Sequence, residues 1–370
     1  MSPEAPHDPS DPPGEDSSGF WGSIAAPPTR SPPVIQTRTR GTGGRGGRHR
    51  SRALLIAAAV AAAIATTSVL SAFHTRLEAI DPQGSDAASE VAGAEIVGIR
   101  TFTPPAGLRV APDLEYGTRE DGTLLTLDVC LPAAAGLGIE LPAVVSVHGG
   151  SWARGDKANA DWRNVCLWLA SEGFVAASVN YRLVPDAVFP AQLEDVQLAV
   201  EWLRDPAQLE RFDIDPSRIG VFGGSAGGNL AALVGATGEG PLDEGSRVAA
   251  VADLSGPVVL DGIPEGDVWL RGIVGAYVGC EPDSLDGDGC PAAGAASPRT
   301  LLDASDPPVF IGHAEHEIVP LAQSLGYAES LRAAGVPVEL AVVPGGEHSI
   351  GILDSALRER VAAFLHAHLG

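Results

Sequence analysis

From about residue 113 to the C-terminus, short apolar runs alternate with longer amphipathic ones. The runs 114–117 and 124–131 read as strands of a hairpin turning at Asp121 and Gly122. The run 143–147 is apolar throughout, as a strand buried on both faces must be, and 162–171 has helical spacing. A strand at 175–180, a helix at 193–203 opened by Pro190, and strands at 219–222 and 248–254 follow. After a less regular span at 261–300 come a strand at 309–312, a helix at 319–334, a strand at 338–343 and a helix at 352–369. This alternation predicts an α/β domain over 113–370, with a mainly parallel central sheet and helices on both faces. Its ligand belongs at the C-terminal ends of the strands. The span 261–300 reads as a small insert capping the pocket.

Upstream the pattern changes twice. Residues 1–52 are rich in Pro, Ser, Gly and Arg and hold few large apolar side chains, so burial does not offset ordering entropy and disorder is expected. Residues 53–73, ALLIAAAVAAAIATTSVLSAF, carry no charge. As a helix they extend roughly 31 Å, about the thickness of a bilayer core. Residues 74–112 are polar, with Gly, Ala and Pro, and read as a stalk.

Charge gives the apolar segment a direction. Of 24 basic and 47 acidic residues, seven arginines and five acids lie in 1–52, which leaves 17 basic and 42 acidic residues, net −25, in 53–370. The arginines lie at 30–52, just before the apolar run. By the positive-inside rule they stay cytoplasmic, and the body is exported from a single-pass membrane anchor. The alternatives are a signal peptide cut near Ser71 or Ala72, which releases a secreted body, and a buried helix of a soluble protein. The Gly-Arg run at 40–48 looks like an RNA-binding arm, but beside the apolar segment it reads as a topology signal. An acidic body argues against a nucleic-acid partner.

The four cysteines fit an oxidising compartment. Cys280 and Cys290 bracket a polar loop and are expected to form a disulfide. Cys130, in a strand-like run, and Cys166, in a helix-like one, read as small buried apolar residues rather than a second bridge.

The chemistry centres on residues 221–228, VFGGSAGG, between a strand and a small-residue helix. This is a G-x-S-x-G turn, with Gly223 and Gly227 flanking Ser225. Such a turn lifts the serine hydroxyl clear of the sheet, at a helix N-terminus that favours developing negative charge. A serine hydroxyl needs a base, and the base needs an acid to orient it. His348 follows the strand 338–343 and so reaches the catalytic edge as general base and acid, whereas His366 and His368 fall in the terminal helix. The sequence VHGGSW at 147–152 leaves another strand end. The amides of Gly149 and Gly150, with that of Ala226, are expected to form the oxyanion hole.

HGGSW (148–152), NYRL (180–183), FPAQLED (189–195) and GGSAGG (223–228) together resemble the α/β-hydrolase fold. The similarity covers about 112–370 and runs closest to the esterase and lipase branch around hormone-sensitive lipase and the feruloyl-esterase-like carboxylesterases. The resemblance implies a serine carboxylesterase working through an acyl-serine intermediate on a small-molecule ester, with no cofactor. It also implies a triad acid after the strand 309–312. Aligning HAEHE at 313–317 with the family's His-Gly-Asp-Ala-Asp run puts the acid on Glu317. Counting back from Val319 and Pro320 puts His316 there, a conflict that a one-residue deletion removes. Glu315 is the reserve, and Asp261 stands for an acid elsewhere.

Two rival functions remain. One is an amide hydrolase, arylformamidase or peptidase-like, and the other a catalytically silent surface binding domain. Metal readings of His313 with His316, and of Asp283, Asp286 and Asp288, give way to a strand end and to solvated carboxylates. Trp152 serves either the pocket or the core. Asp195, Tyr181 and Arg182 read as architectural.

Overall fold

The computed structural model describes residues 97–370. The segments 1–52 and 53–73 and the first part of the expected stalk lie outside the described residues. Among the described residues no helix is long and apolar enough to cross a membrane.

The chain runs β1 (Arg109–Thr118), β2 (Leu124–Leu131), β3 (Leu141–Val147), α1 (Ala160–Ser171), β4 (Val175–Val179), α2 (Ala191–Leu203), α3 (Pro206–Phe212), β5 (Ile214–Gly224) and α4 (Ala226–Ala236). It continues through β6 (Ala250–Leu254), α5 (Val268–Val278), α6 (Pro291–Ala295), β7 (Val309–Ala314), α7 (Leu321–Ala334), β8 (Val338–Val343) and α8 (Ser355–Leu369). All eight strands form one sheet in the order β1-β2-β4-β3-β5-β6-β7-β8. β1 and β2 pair antiparallel, as does β2 with β4, and the strands from β4 to β8 are parallel. The fold is therefore the expected α/β-hydrolase sheet, with the hairpin at one edge.

The two core clusters show why the strands read as continuous apolar runs. Val145, Val147, Val221, Val251 and Ile311 face one layer of helices, and Val144, Phe222, Ala252 and Phe310 face the other. Neighbours along one strand point to opposite faces, so helices on both sides leave β3 buried at every position. Burying each such valine, isoleucine or phenylalanine side chain contributes roughly 1.5–3 kcal/mol before entropy is counted. Local signals set the ends. The Asn159 side chain accepts from the Trp162 amide to cap α1, Asp354 caps α8 through Leu357, and Gly335 in the left-handed region stops α7.

Three sequence expectations change. The stalk ends earlier than 112. Residues 98–101 form a 3-10 turn with Ile99 buried, Arg100 is bonded to Asp161 at 2.7 Å, and β1 begins at Arg109. The span 261–300 is mostly helical, holding α5, α6 and three further 3-10 turns, because its apolar positions pack onto the C-terminal edge of the sheet. Cys130 and Cys166 are bridged as well as Cys280 and Cys290, with Cα separations of 5.8 Å and 6.2 Å. The spacing of 36 residues gave no local sign of the first pair. It arises because α1 packs across β2 and brings Cys166 over Cys130 in a fully buried cluster.

Loop-closure entropy ranks the bridges. The 36-residue loop stabilises by about 4 kcal/mol and the 10-residue loop by about 3 kcal/mol. Cys130→Ser with Cys166→Ser is therefore expected to lower the thermal midpoint more than Cys280→Ser with Cys290→Ser. Calorimetry on the two double variants checks this, and a larger drop for the second contradicts it.

Candidate active site

The parallel register aligns the strand ends that carry the chemistry. Val147 sits opposite Gly223, Gly224 opposite Leu254, and Ala314 opposite Val343. The residues following β3, β5, β7 and β8 thus open on one edge.

Ser225 stands between β5 and α4 with φ 59° and ψ −124°, a conformation that L-residues rarely adopt. Neighbouring backbone holds it there. Its amide donates to the Leu254 carbonyl at 2.8 Å, and its carbonyl accepts from the Asn229 amide at 3.0 Å. The flanking glycines are required by close approach. A Cβ on Gly223 would come within 2.0 Å of the Gly227 carbonyl oxygen, and one on Gly227 within 2.1 Å of the Val147 carbonyl oxygen.

His348 reaches this hydroxyl from the loop after β8. Its Nε2 lies 2.8 Å from Ser225 Oγ, and its Nδ1 is hydrogen-bonded to Glu317 Oε2. With the carboxylate accepting, Nδ1 carries the proton and Nε2 is left to accept from the serine. The next residue fixes the loop, since the Ser349 amide donates to Ser255 Oγ at 3.0 Å and the Ser255 amide to the Gly312 carbonyl at 2.9 Å. Nothing in the sequence singled out Ser255.

Glu317 has a fully buried side chain gripped from both ends. Its Oε1 lies 2.6 Å from Nε2 of His313, but that N–H donates to the Val319 carbonyl at 2.9 Å, and Oε1 has no hydrogen-bond donor among the described residues. The other nitrogen of His313 accepts from Ser324 Oγ at 2.7 Å. Burial alone raises the Glu317 carboxyl, but the close contacts and charges of His313 and His348 outweigh it and hold the group below its ordinary value. For His313 burial works downward, and contact with Glu317 more than reverses it, so its value is raised. Glu315 and His316 are exposed, away from Ser225, and Asp261 lies near Ser297 in the insert. His313 and His316 thus part company, one buried and one exposed. Asp286 pairs with Arg271 at 2.9 Å.

Asp253, at the end of β6, is a further buried carboxyl that sequence patterning missed, because only the tertiary fold brings it behind the site. Its Oδ1 accepts from the Gly256 amide at 2.8 Å, while Oδ2 has no partner among the described residues. Burial pushes its pKa up to about 7, against the pull of the Gly256 amide and of His313. The unfolded group ionises near 3.9. Its contribution to stability is therefore fully present below about pH 4 and is lost as pH rises through about 7. Asp253→Asn removes this titration, so the variant's thermal midpoint relative to the parent should climb between pH 4 and pH 7 and level off above. A pH-independent difference contradicts the assignment.

The glycine loop after β3 approaches from the other side. A Cβ on Gly149 would lie 3.1 Å from Ser225 Cβ, and Gly150 has φ +129°. Neither amide donates to another described group. Ala226 begins α4, where the first amides have no helical acceptor. His148 steadies the loop, stacked on Tyr181 at 4.4 Å with its carbonyl accepting from the Tyr181 hydroxyl at 2.9 Å. Asp195 anchors the following segment, its buried carboxylate accepting from the Arg182 amide at 2.8 Å and from Arg119 Nε at 2.7 Å. Trp152 does both jobs open to it: it stacks on Tyr277 at 3.9 Å and lines a recess beside Ser225.

Above Ser225 and His348 lies an open cleft of about 420 Å³. Its walls include Trp269 of α5 as well as Arg154, Asn159 and Trp162. The arrangement can deprotonate a serine hydroxyl against a substrate held in the cleft and meet developing negative charge with backbone amides.

Comparison with known proteins gives a consistent picture. The BD-FAE family model matches residues 127–331. Arylacetamide deacetylase of Bos taurus is 46% identical over 24% of this chain, which spans only 22% of that protein. Carboxylesterase NlhH of Mycobacterium tuberculosis is 33% identical over 60% of this chain and 70% of its own length. The solved structure of a thermophilic esterase of Thermogutta terrifontis, Est2, in its native form, superposes with a TM-score of 0.56 at 26% identity, covering 72% of this chain and 93% of that one.

Proposed function

We propose that this chain, which belongs to the BD-FAE family of α/β-hydrolase esterases, hydrolyses carboxylic esters through an acyl-serine intermediate. The observation that carries the reading is the continuous relay from Ser225 Oγ through His348 to a buried Glu317, at the floor of an open cleft. His348 Nε2 takes the Ser225 proton as Oγ attacks the ester carbonyl. The oxygen of the tetrahedral intermediate turns toward the amides of Gly149, Gly150 and Ala226. His348 then returns the proton to the departing alcohol, leaving the acyl group on Ser225. Water enters the cleft and gives a proton to His348 as its oxygen attacks the acyl carbon, and His348 passes that proton to Ser225 Oγ as the Oγ–acyl bond breaks and the acid leaves. Glu317 keeps the imidazole in the tautomer this sequence needs and offsets its positive charge when protonated.

Hydrolysis of p-nitrophenyl acetate against an aryl formamide tests the substrate class. Faster turnover of the acetate supports the reading, faster turnover of the formamide makes the protein an amide hydrolase, and loss of both leaves a silent binding domain.

The catalytic body is exported in this reading, with 53–73 as its anchor and 261–300 as a cap beside the cleft. Two disulfides within the body support an oxidising compartment. The arginine-rich block before the apolar segment supports the orientation. Protease treatment of intact cells expressing the full chain should remove the body, and complete protection contradicts export.

A further inference from the structure

Among the described residues, the walls of the cleft carry one group that is always ionised, the guanidinium of Arg154. No carboxylate shares the wall with it. A free cation is out of character for a body with a net charge of −25 over 53–370. Other arginines here are spent on protein acids. Arg182 holds Asp195, Arg271 holds Asp286 and Arg100 holds Asp161. Arg154 is exposed, and its side chain makes no ion pair or hydrogen bond among the described residues. The acids close to it in sequence are engaged elsewhere. Asp156 accepts from the Ala158 amide at 2.6 Å and from Asn180 Nδ2 at 3.2 Å, and Asp161 is taken by Arg100 at 2.7 Å.

We propose that Arg154 determines specificity by binding an anionic group of the substrate, so that esters carrying a carboxylate near the scissile bond are favoured over their uncharged counterparts. The inference rests on the ester-hydrolase reading of the same site and names the kind of ester it takes.

The backbone fixes where this charge sits. The amides of Ala153 and Arg154 both donate to the Gly150 carbonyl at 3.1 Å, which closes a tight turn after β3. Ser151 and Trp152 hold φ of 57° and 54° inside that turn. Gly155 ends it at φ +125°, where an added Cβ would come within 2.2 Å of His148 Nδ1. The stem of Arg154 lies against Gly150, since a Cβ there would meet Arg154 Cγ at 3.2 Å. Gly150 is one of the glycines whose amides face the ester oxygen in the proposed mechanism. The cation therefore belongs to the same short turn that meets the carbonyl, and no moving segment has to bring it there. The other walls include Trp162, Trp269 and Ile318, which offer hydrocarbon to the rest of the substrate. A site of this kind takes contact area from apolar walls and orientation from a few polar groups. The planar fork of arginine meets a carboxylate with two parallel hydrogen bonds, which an uncharged ester cannot accept as strongly.

Two pairs of esters test this and locate the charge. 4-Acetoxybenzoate and its methyl ester differ by a carboxylate on the leaving side, with deacetylation followed by chromatography. 4-Nitrophenyl hydrogen adipate and its methyl ester differ by one on the acyl side, with release of 4-nitrophenol followed by absorbance. The readout is the ratio of kcat/KM, charged over uncharged, in parent and variant, so the intrinsic reactivity of each ester cancels. In at least one pair Arg154→Gln should lower that ratio about tenfold, the worth of one charge-assisted contact at an open site. The pair that responds shows which side of the ester carries the anion. Arg154→Glu should lower the ratio further, and Arg154→Lys should keep part of it, having the charge without the fork. Added sodium chloride should move the parent's ratio toward that of Arg154→Gln. Ratios equal to the parent's in both pairs, for Arg154→Gln and Arg154→Glu alike, overturn the assignment and leave ester hydrolysis standing. A folded parent that hydrolyses none of the four esters, nor p-nitrophenyl acetate, removes the ester reading as well.

Discussion

Ser225→Ala is expected to lower kcat for ester hydrolysis by a factor on the order of 10⁴ to 10⁶, with little change in the folded structure. Alanine keeps the Cβ that the turn accommodates and removes only the oxygen 2.8 Å from His348 Nε2. The flanking residues Gly224 and Ala226 carry no nucleophilic side chain, and Ser151 and Ser349, which also line the cleft, make no hydrogen bond to the His348 ring among the described residues. Residual rate would come from substrate positioning and the amides of the glycine loop, acting on water instead of a serine. His348→Ala should cost about as much, and the double variant little more than either alone, because the two groups act on one proton. Steady-state kinetics with p-nitrophenyl acetate measures all three. A loss of less than about tenfold in Ser225→Ala would mean that the hydroxyl is not the nucleophile.

The second large effect is expected at Glu317. In Glu317→Gln one carboxylate oxygen becomes an amide donor. His313 Nε2 lies 2.6 Å from Oε1, so the amide oxygen turns that way and the amide nitrogen faces His348. His348 Nδ1 must then accept, which moves the ring proton to Nε2, where it points at Ser225 and no longer takes the serine's proton. The expected loss in kcat is on the order of 10³ to 10⁴, with KM changed far less. Glu317→Asp should recover part of it, since the charge is kept but the shorter arm has to reach both histidines. Glu315→Gln, an exposed neighbour two residues away, should stay close to the parent rate. A large loss in Glu315→Gln with none in Glu317→Gln would move the acid to the reserve position.

The legible parts of this site are those with local causes. Ser225 could be read from the chain because a strand that must turn sharply into a helix tolerates only glycine at 223 and 227. That constraint is visible in eight residues. His348 could be read because it follows a strand and its chain order matches the fold. The pair of glycines at 149 and 150 was legible for the same reason, a close backbone approach at a strand end. Glu317 needed a family pattern to choose among three neighbours, and the structure brings that residue alone of the three to His348.

What stayed hidden depends on contacts between distant segments. The Cys130–Cys166 bridge follows from where α1 lands on β2, which no spacing rule states. His313, Ser324, Asp253 and Ser255 support the site from two strand ends and a helix, and each looks alone like an ordinary buried polar residue. The start of the body was misread for a related reason. Residues 97–108 are rich in Gly and Pro and show no regular apolar period, yet Ile99 finds a place in the core and Arg100 a partner in Asp161. The insert showed weak periodicity because its helices are short and rest on the rim of the sheet.

The proposed chemistry makes Ser225, driven by His348 and Glu317, the group that attacks. Covalent labelling with a fluorophosphonate, mapped to a peptide by mass spectrometry, tests it most directly. A single adduct is expected on Ser225, absent in Ser225→Ala and formed far more slowly in His348→Ala and Glu317→Gln. Labelling that persists in folded Ser225→Ala, or that maps to another residue in the parent protein, contradicts it.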